Sequence, residues 1–148
     1  MTTRSILAIY AHPDDESLCA GTLASLAANG ARVTLVCATR GEVGEISDPA
    51  LATRETLPQV REGELRCAAQ AMGIGAPVFL GYRDSGMDGT PENEHPDAFM
   101  NADAEEVVGK LVGIIREVRP QVVVTFDETG GYGHPDHFAS WRDLDAAS

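Results

Sequence analysis

The chain has 148 residues, enough to bury the core of one domain, and residues 1–148 are treated as a single domain. Apolar residues make up 43 % and aromatic residues 5 %, which indicates a soluble globular protein with an aliphatic core. The formal net charge of −12 argues against nucleic acid and anionic membranes as partners, because both bind basic surfaces.

Short apolar runs alternate with helical patterns along the chain. The predicted strands are, in chain order, Ser5–Tyr10, Arg32–Thr39, Val78–Leu80 and Gln121–Phe126. The predicted helices are Glu16–Asn29, Arg61–Met72, an apolar stripe from Val107 to Val118 preceded by a capping box of Asp103 and Glu106, and a last helix from His137. The polar segments 41–58 and 81–101 are predicted loops. This alternation predicts an α/β fold with a mainly parallel sheet.

The three cysteines and the N-terminal segment bear on the compartment. Cys19, Cys37 and Cys67 are odd in number, and none belongs to a C-x-x-C pair. We expect them to be buried and reduced, without a disulfide or a thiolate metal site. The apolar run Ile6–Ala11 is shorter than the apolar core of a signal peptide or a membrane span. The expected location is therefore cytoplasmic.

Two loops that follow predicted strands carry most of the reactive side chains. The first reads Ala11-His-Pro-Asp-Asp-Glu16, and the second reads Gly130-Gly-Tyr-Gly-His-Pro-Asp-His137. Ligands of parallel α/β sheets bind beyond the carboxyl ends of the strands, where the strand order reverses. If the first and fourth strands are neighbours there, the two loops meet.

Histidine and carboxylate side chains in both loops predict a zinc site. Zinc in hydrolytic sites takes three protein ligands and keeps one position for water. Such a metal lowers the pKa of its water to about 7 and polarises a carbonyl group. A neighbouring carboxylate that is not a ligand accepts the proton of the water. Asp14 and Asp15 are adjacent, so one is expected to bind the metal and the other to face the water, but spacing alone does not assign them.

The tripeptide His-Pro-Asp occurs three times in this chain. The copies that begin at His12 and His134 each follow an apolar strand and open a helix, whereas His95-Pro96-Asp97 lies inside a polar loop. We interpret the copy at His95 as a turn. For the other two, the alternative to a metal site is a helix-entry turn, with a carboxylate or a proline in the first helical turn.

The motifs A-H-P-D-D-E and G-H-P-D-H resemble those of the PIG-L/LmbE-like zinc deacetylases. Further resemblance to the mycothiol deacetylase branch of this family lies in Gly41-Glu42, Arg61-x-x-Glu64, Arg83-Asp-Ser-Gly-Met87 and Gly130–His134. The resemblance implies a Rossmann-like three-layer sandwich and a hydrolase that removes the N-acetyl group of an N-acetylglucosaminyl substrate, such as N-acetylglucosaminyl-inositol. A related branch cleaves mycothiol S-conjugates, so an amidase of that type is an alternative.

The resemblance also implies roles for single residues. One zinc ion would be bound by His12, Asp15 and His137, with Asp14 as the general base. His134 would stabilise the oxyanion and protonate the leaving amine.

The remaining residues that the resemblance assigns surround this centre. Asp136 would orient His134, and Tyr132 would polarise the scissile carbonyl. Arg61 and Asp84 would bind the sugar and its aglycone. Without the family, Arg61 and Glu64 could be only a surface pair on a helix, and Asp84 could be only part of a turn.

Members of this family continue well past the second motif, whereas this sequence ends shortly after His137. We therefore expect the C-terminal elements of the family to be missing, the strand Gln121–Phe126 to be an edge, and the chain to self-associate as a homo-oligomer. The alternative to an enzyme is a truncated, non-catalytic domain that binds metal.

Two other α/β classes fit the residues less well. A phosphorylated receiver domain would need an aspartate after the third strand and a lysine after the fourth, and it would leave both histidines unexplained. A dinucleotide-binding domain would need G-x-G-x-x-G in the first strand–helix turn, where this chain has an acidic pair.

Overall fold

The four predicted strands form one parallel sheet in the computed structural model, which describes residues 4–148. The strands are β1 (Ser5–Tyr10), β2 (Arg32–Cys37), β3 (Val78–Phe79) and β4 (Val122–Val124). Their order in the sheet is β3-β2-β1-β4, and every pairing is parallel. The strand order therefore reverses between β1 and β4, which confirms that the first and fourth strands are neighbours.

Within residues 4–148, four α-helices connect and cover these strands. They are α1 (Ala20–Ala28), α2 (Leu57–Ala71), α3 (Ala104–Val118) and α4 (Pro135–Ala147). Single 3-10 turns lie at Asp15–Leu18, Pro91–Glu94 and Phe99–Asn101.

Helix boundaries differ from the predicted ones where the first turn was misjudged. Helix α2 begins at Leu57 and not at Arg61, because Pro58 fits the first turn of a helix. The first predicted helix is divided into a 3-10 turn and α1, since Cys19 has a φ of −136° and lies outside the helical region. The predicted cap of α3 is present: the Asp103 carboxylate accepts the backbone N–H of Glu106 at 3.0 Å.

The core lies on both faces of β1, whose residues are all buried. On one face, Ile6, Ala8 and Tyr10 pack with α1 and α2 through Leu23 and Leu65. On the other face, Leu7 and Ile9 pack with α3 and α4 through Val107, Leu111 and Leu144. Burial on both faces explains the continuous apolar run of this strand, and it confirms the three-layer sandwich.

The structure agrees with the expectation for the last strand and with only part of the expectation for the cysteines. Strand β4 is an outer strand of the described sheet, and its Val122 side chain is exposed. Cys37 is buried and Cys19 is half-buried, but Cys67 is exposed, so the prediction of three buried cysteines is wrong for Cys67. None of the helices between residues 4 and 148 is long and apolar enough to cross a membrane.

Candidate metal and catalytic site

The loops after β1 and β4 meet at the carboxyl end of the sheet. They bring three histidine rings together, with centroid distances of 4.5 Å between His12 and His134 and 5.0 Å between His134 and His137. The rings of His12 and His137 are 5.3 Å apart. Phe126, two residues after β4, stacks on the His137 ring at 3.8 Å and fixes its orientation.

Asp15 lies between the two histidines that were predicted as zinc ligands. Its Oδ2 is 3.5 Å from Nδ1 of His12, and its Oδ1 is 3.3 Å from Nε2 of His137. Nε2 of His137 is buried and has no hydrogen-bond partner in the part of the chain that the structure describes. Its Nδ1 lies 3.2 Å from the carbonyl oxygen of Gly130. One nitrogen held by a carbonyl and the other left unpartnered beside a carboxylate is the arrangement of a metal-binding histidine, so these residues fit zinc.

Neighbouring side chains offer other ligand sets. Ligand atoms of His12, His134 and His137 all lie within 4.8 Å of one another, and so do those of His12, Asp84, His134 and Asp136. The predicted set differs from these because its two histidines are connected through separate oxygens of Asp15. The predicted ligand set therefore remains a prediction.

Three carboxylates surround His12. Its Nε2 is 3.1 Å from Asp136 and 3.4 Å from Asp84, and its Nδ1 faces Asp15. Burial by itself lowers the pKa of His12, but the hydrogen bonds that these carboxylates accept from its ring raise the pKa well above the usual value. The electrostatic field of this part of the site thus favours a positive charge.

The carboxylate of Asp136 contacts His12 and Ser85. The Asp136 carboxylate is fully buried and accepts the backbone N–H of Ser85 at 2.9 Å and its hydroxyl. Its link to His134 is through the backbone, because the N–H of Asp136 donates to Nδ1 of His134 at 3.1 Å. Ser85 was not among the predicted site residues, although it stands next to Asp84 in one of the motifs.

His134 caps helix α4 and lines the cavity in front of the site. Since its Nδ1 accepts a hydrogen bond, a neutral ring carries its proton on Nε2. Burial, together with the neighbouring His12, lowers the pKa of His134 to about 4. The ring is therefore a neutral hydrogen-bond donor at physiological pH.

Asp14 has an unusual backbone conformation, with a φ of 110°. Only a few per cent of non-glycine residues have positive φ, and such residues concentrate at functional sites. Its carboxylate lines the cavity and accepts a hydrogen bond from Arg61 at 2.8 Å. Partial burial raises the pKa of Asp14, Arg61 opposes that shift, and the adjacent Asp15 adds to it.

A cavity of about 710 Å³ opens in front of these groups. Asp84 lines it with its carboxylate held by the backbone N–H groups of Gly86 and Val43, at 2.9 Å and 3.3 Å. Tyr132 stands at the mouth, where it is 70 % exposed, with its ring centroid 5.0 Å from that of His137.

All the sequence-predicted site residues lie in this region. Those that line the cavity are His12, Asp14, Arg61, Asp84, Tyr132 and His134. Asp15, Asp136 and His137 are buried beside His12.

The sheet, the cavity at the carboxyl ends of its strands and the buried His–carboxylate cluster define an α/β protein with a candidate metal centre. The sequence model of the PIG-L family, described as GlcNAc-PI de-N-acetylase, matches residues 7–146. The chain belongs to this family.

Curated relatives are about 50 % identical to this chain over the part that aligns with it. A protein of Thermobispora bispora named 1D-myo-inositol 2-acetamido-2-deoxy-alpha-D-glucopyranoside deacetylase is 50 % identical over 162 residues, which cover 100 % of this chain and 54 % of the relative. The protein of the same name from Nocardiopsis dassonvillei is 54 % identical over 90 % of this chain and 51 % of its own length. The chain thus spans about half the length of these relatives.

Among solved structures, the N,N'-diacetylchitobiose deacetylase of Pyrococcus horikoshii in complex with an inhibitor has a TM-score of 0.76 to this chain. The two are 28 % identical, and the match covers 96 % of this chain and 48 % of the Pyrococcus horikoshii chain. The α/β fold is therefore that of known deacetylases.

Proposed function

We propose that this chain carries the catalytic centre of a zinc-dependent deacetylase that removes the N-acetyl group from an N-acetylglucosaminyl-inositol substrate. The observation that carries the proposal is the buried Nε2 of His137, which has no hydrogen-bond partner within residues 4–148 and lies beside Asp15, behind a cavity that Asp14 and His134 line. The names of the curated relatives support the substrate class.

His12, Asp15 and His137 would hold one zinc ion per chain. When bound there, zinc supplies Lewis-acid polarisation of the amide carbonyl and of a water molecule. The Asp136 carboxylate contacts Nε2 of His12 and fixes the orientation of the ring. Nδ1 of the same ring then faces Asp15. This division of the two ring nitrogens is the usual one for a histidine ligand backed by a carboxylate.

Asp14 would act as the general base. It lines the cavity without contacting His137 or His12 through a hydrogen bond, so its carboxylate is free to accept a proton from the attacking water. The raised pKa of Asp14 brings the group closer to the range in which a base can later return its proton.

His134 would donate its Nε2–H to the acyl oxygen as negative charge develops there. Its Nδ1 is occupied by the backbone N–H of Asp136, so a neutral ring has a single N–H to offer. We therefore propose that the leaving amine takes its proton from Asp14, which has just taken one from water, and not from His134 as the resemblance implied. Tyr132, at the cavity mouth, would polarise the same carbonyl.

Arg61 and Asp84 would contact hydroxyl groups of the sugar and its aglycone. Both line the cavity, and neither has a hydrogen bond to Asp15 or His137. Asp84 lies 3.4 Å from Nε2 of His12, the ring nitrogen that does not face Asp15. Alanine at Asp84 is therefore expected to raise KM while leaving the metal content unchanged.

The direct test combines metal analysis with acetate release from N-acetylglucosaminyl-inositol. A panel of other N-acetylglucosaminides and a mycothiol S-conjugate serve as comparison substrates. We expect one zinc per chain and the fastest release from N-acetylglucosaminyl-inositol. Faster cleavage of the S-conjugate would instead assign the amidase alternative. Stoichiometric zinc with no release from any substrate would assign a non-catalytic metal-binding domain.

A further inference from the structure

Two glycines leave room for the guanidinium of Arg61. A Cβ atom at Gly41 would lie 1.8 Å from Nη1 of Arg61, and a Cβ atom at Gly44 would lie 2.6 Å from the same nitrogen. Gly41 has a φ of +65°, which favours glycine on its own account, but Gly44 has no such backbone requirement. At Gly44, the close approach of the guanidinium is the structural reason for glycine.

The guanidinium in this space binds oxygen atoms of the chain itself. Its Nη1 donates to the carbonyl oxygen of Gly41 at 3.2 Å, and its Nη2 donates to the carbonyl oxygen of Pro13. The same Nη2 donates to the Asp14 carboxylate at 2.8 Å. The Arg61 side chain is only 15 % exposed. Arg61 therefore connects the segment after β2 with the segment after β1, at the residue proposed as the base.

Asp14 needs such a restraint because its left-handed backbone conformation is strained. A non-glycine residue in this region persists only where its surroundings hold it. From the other side, the backbone N–H of Asp14 donates to the buried Glu16 carboxylate at 2.9 Å. The Glu16 carboxylate thus holds the turn by accepting the backbone N–H of Asp14. Arg61 holds it by donating to the carbonyl oxygen of Pro13 and to the Asp14 carboxylate.

We propose that Arg61 is a positioning residue for Asp14 and that Gly44 preserves the space in which it acts. This inference rests on the proposed role of Asp14 as general base. Arginine suits the task because its planar group donates in several fixed directions at once, whereas a lysine offers one flexible ammonium. Arg61 would then act mainly on the rate of the chemical step, and less on the binding of the sugar.

The first test displaces the guanidinium without removing it. Gly44→Ala is compared with Gly63→Ala, a control on α2 where a Cβ would meet nothing within 4 Å. We expect kcat to fall about 10- to 100-fold in Gly44→Ala, since small displacements of reacting groups have effects of this size, with KM changed less than about twofold. Arg61→Lys should show the same pattern, and Gly63→Ala should leave both constants unchanged. A raised KM with unchanged kcat in Gly44→Ala and Arg61→Lys would overturn the proposal.

The second test does not depend on turnover. Hydrogen–deuterium exchange of a peptide covering residues 11–19 should be faster in Gly44→Ala and in Arg61→Ala than in the parent chain and Gly63→Ala. Adding Gly44→Ala to Arg61→Ala should give no further increase, because the glycine then has no guanidinium to accommodate. Unchanged exchange in Arg61→Ala would overturn the proposal. Should Gly44→Ala fail to fold, Arg61→Lys and Arg61→Ala decide the matter.

These measurements separate this inference from the proposed function. If the parent chain has no deacetylase activity but the variants show the expected exchange pattern, the proposed function is disproved, and the restraint of Asp14 by Arg61 still stands. Normal deacetylase activity with unchanged exchange in Arg61→Ala would keep the enzyme and disprove the restraint.

Discussion

The His-Pro-Asp copies at His134 and His95 have the same local structure and different surroundings. In both, Nδ1 of the histidine accepts the backbone N–H two residues later at 3.1 Å. Asp136 is fully buried and bonded to Ser85, whereas the Asp97 side chain is 81 % exposed. The tripeptide thus determines the turn, and its place after a strand of the sheet determines whether its side chains meet other reactive groups.

The copy at His12 shows that even the turn depends on its neighbours. Here the aspartate N–H donates to the Glu16 carboxylate and not to the histidine, and Asp14 takes a positive φ. Arg61 binds this turn from another segment. One tripeptide therefore has two backbone forms in one chain, and the unusual form occurs at the residue proposed as the base.

The largest expected difference between the copies is in metal binding. Alanine at His12, Asp15 or His137 should each abolish stoichiometric zinc, because each removes one of three ligands. His95→Ala is the matched control and should retain the metal. Elemental analysis after dialysis measures the content. Retention of zinc in the His137→Ala protein, with loss in His134→Ala, would assign His134 as a ligand in its place.

Asp14→Asn should abolish most of the turnover while the metal remains bound. Asparagine keeps the shape of the side chain and tolerates positive φ, but it cannot accept the proton of the water. We expect a loss of about 10²–10⁴-fold in kcat, the usual contribution of a general base. Asp97→Asn makes the same change in the exposed copy and should have no effect. A loss of zinc in Asp14→Asn would mean that Asp14 is a ligand.

His134 has two functions that different substitutions separate. His134→Ala removes both the cap of α4 and the N–H that faces the cavity, so it should lower kcat about 10²–10³-fold and the free energy of unfolding by about 1 kcal/mol. His134→Asn restores a good capping side chain and should recover the stability without the full turnover. The measurements are steady-state kinetics and urea unfolding. Equal activity in His134→Asn and the parent chain would remove His134 from the mechanism.

The sequence predicted the elements whose signals are local. The buried run Ser5–Tyr10, the Asp103 cap and the side chains placed directly after β1 and β4 could all be identified within a few residues of chain. The pairing of β1 with β4 was only a condition for the two loops to meet, and the structure fulfils it.

The contacts that were not predicted join segments far apart in the sequence. Ser85 reaches Asp136, and Arg61 reaches Pro13 and Asp14. No periodicity or spacing relates such residues, because their proximity arises only when the long loops fold over the sheet. The sequence therefore predicted which side chains gather at the site better than it predicted the contacts that hold them in place.

The smallest expected effect is the change in stability when the exposed turn at His95 loses its histidine side chain. His95→Ala removes a single hydrogen bond at a side chain that is 40 % exposed, where water can replace the lost acceptor. The free energy of unfolding should change by less than about 0.5 kcal/mol, as for most surface substitutions. In His134→Ala the same bond is lost at a buried helix terminus, so the difference between the two variants isolates the effect of burial on one local structure. Urea unfolding of both variants measures it, and an equal loss in the two would show that the turn itself, and not its surroundings, sets the stability.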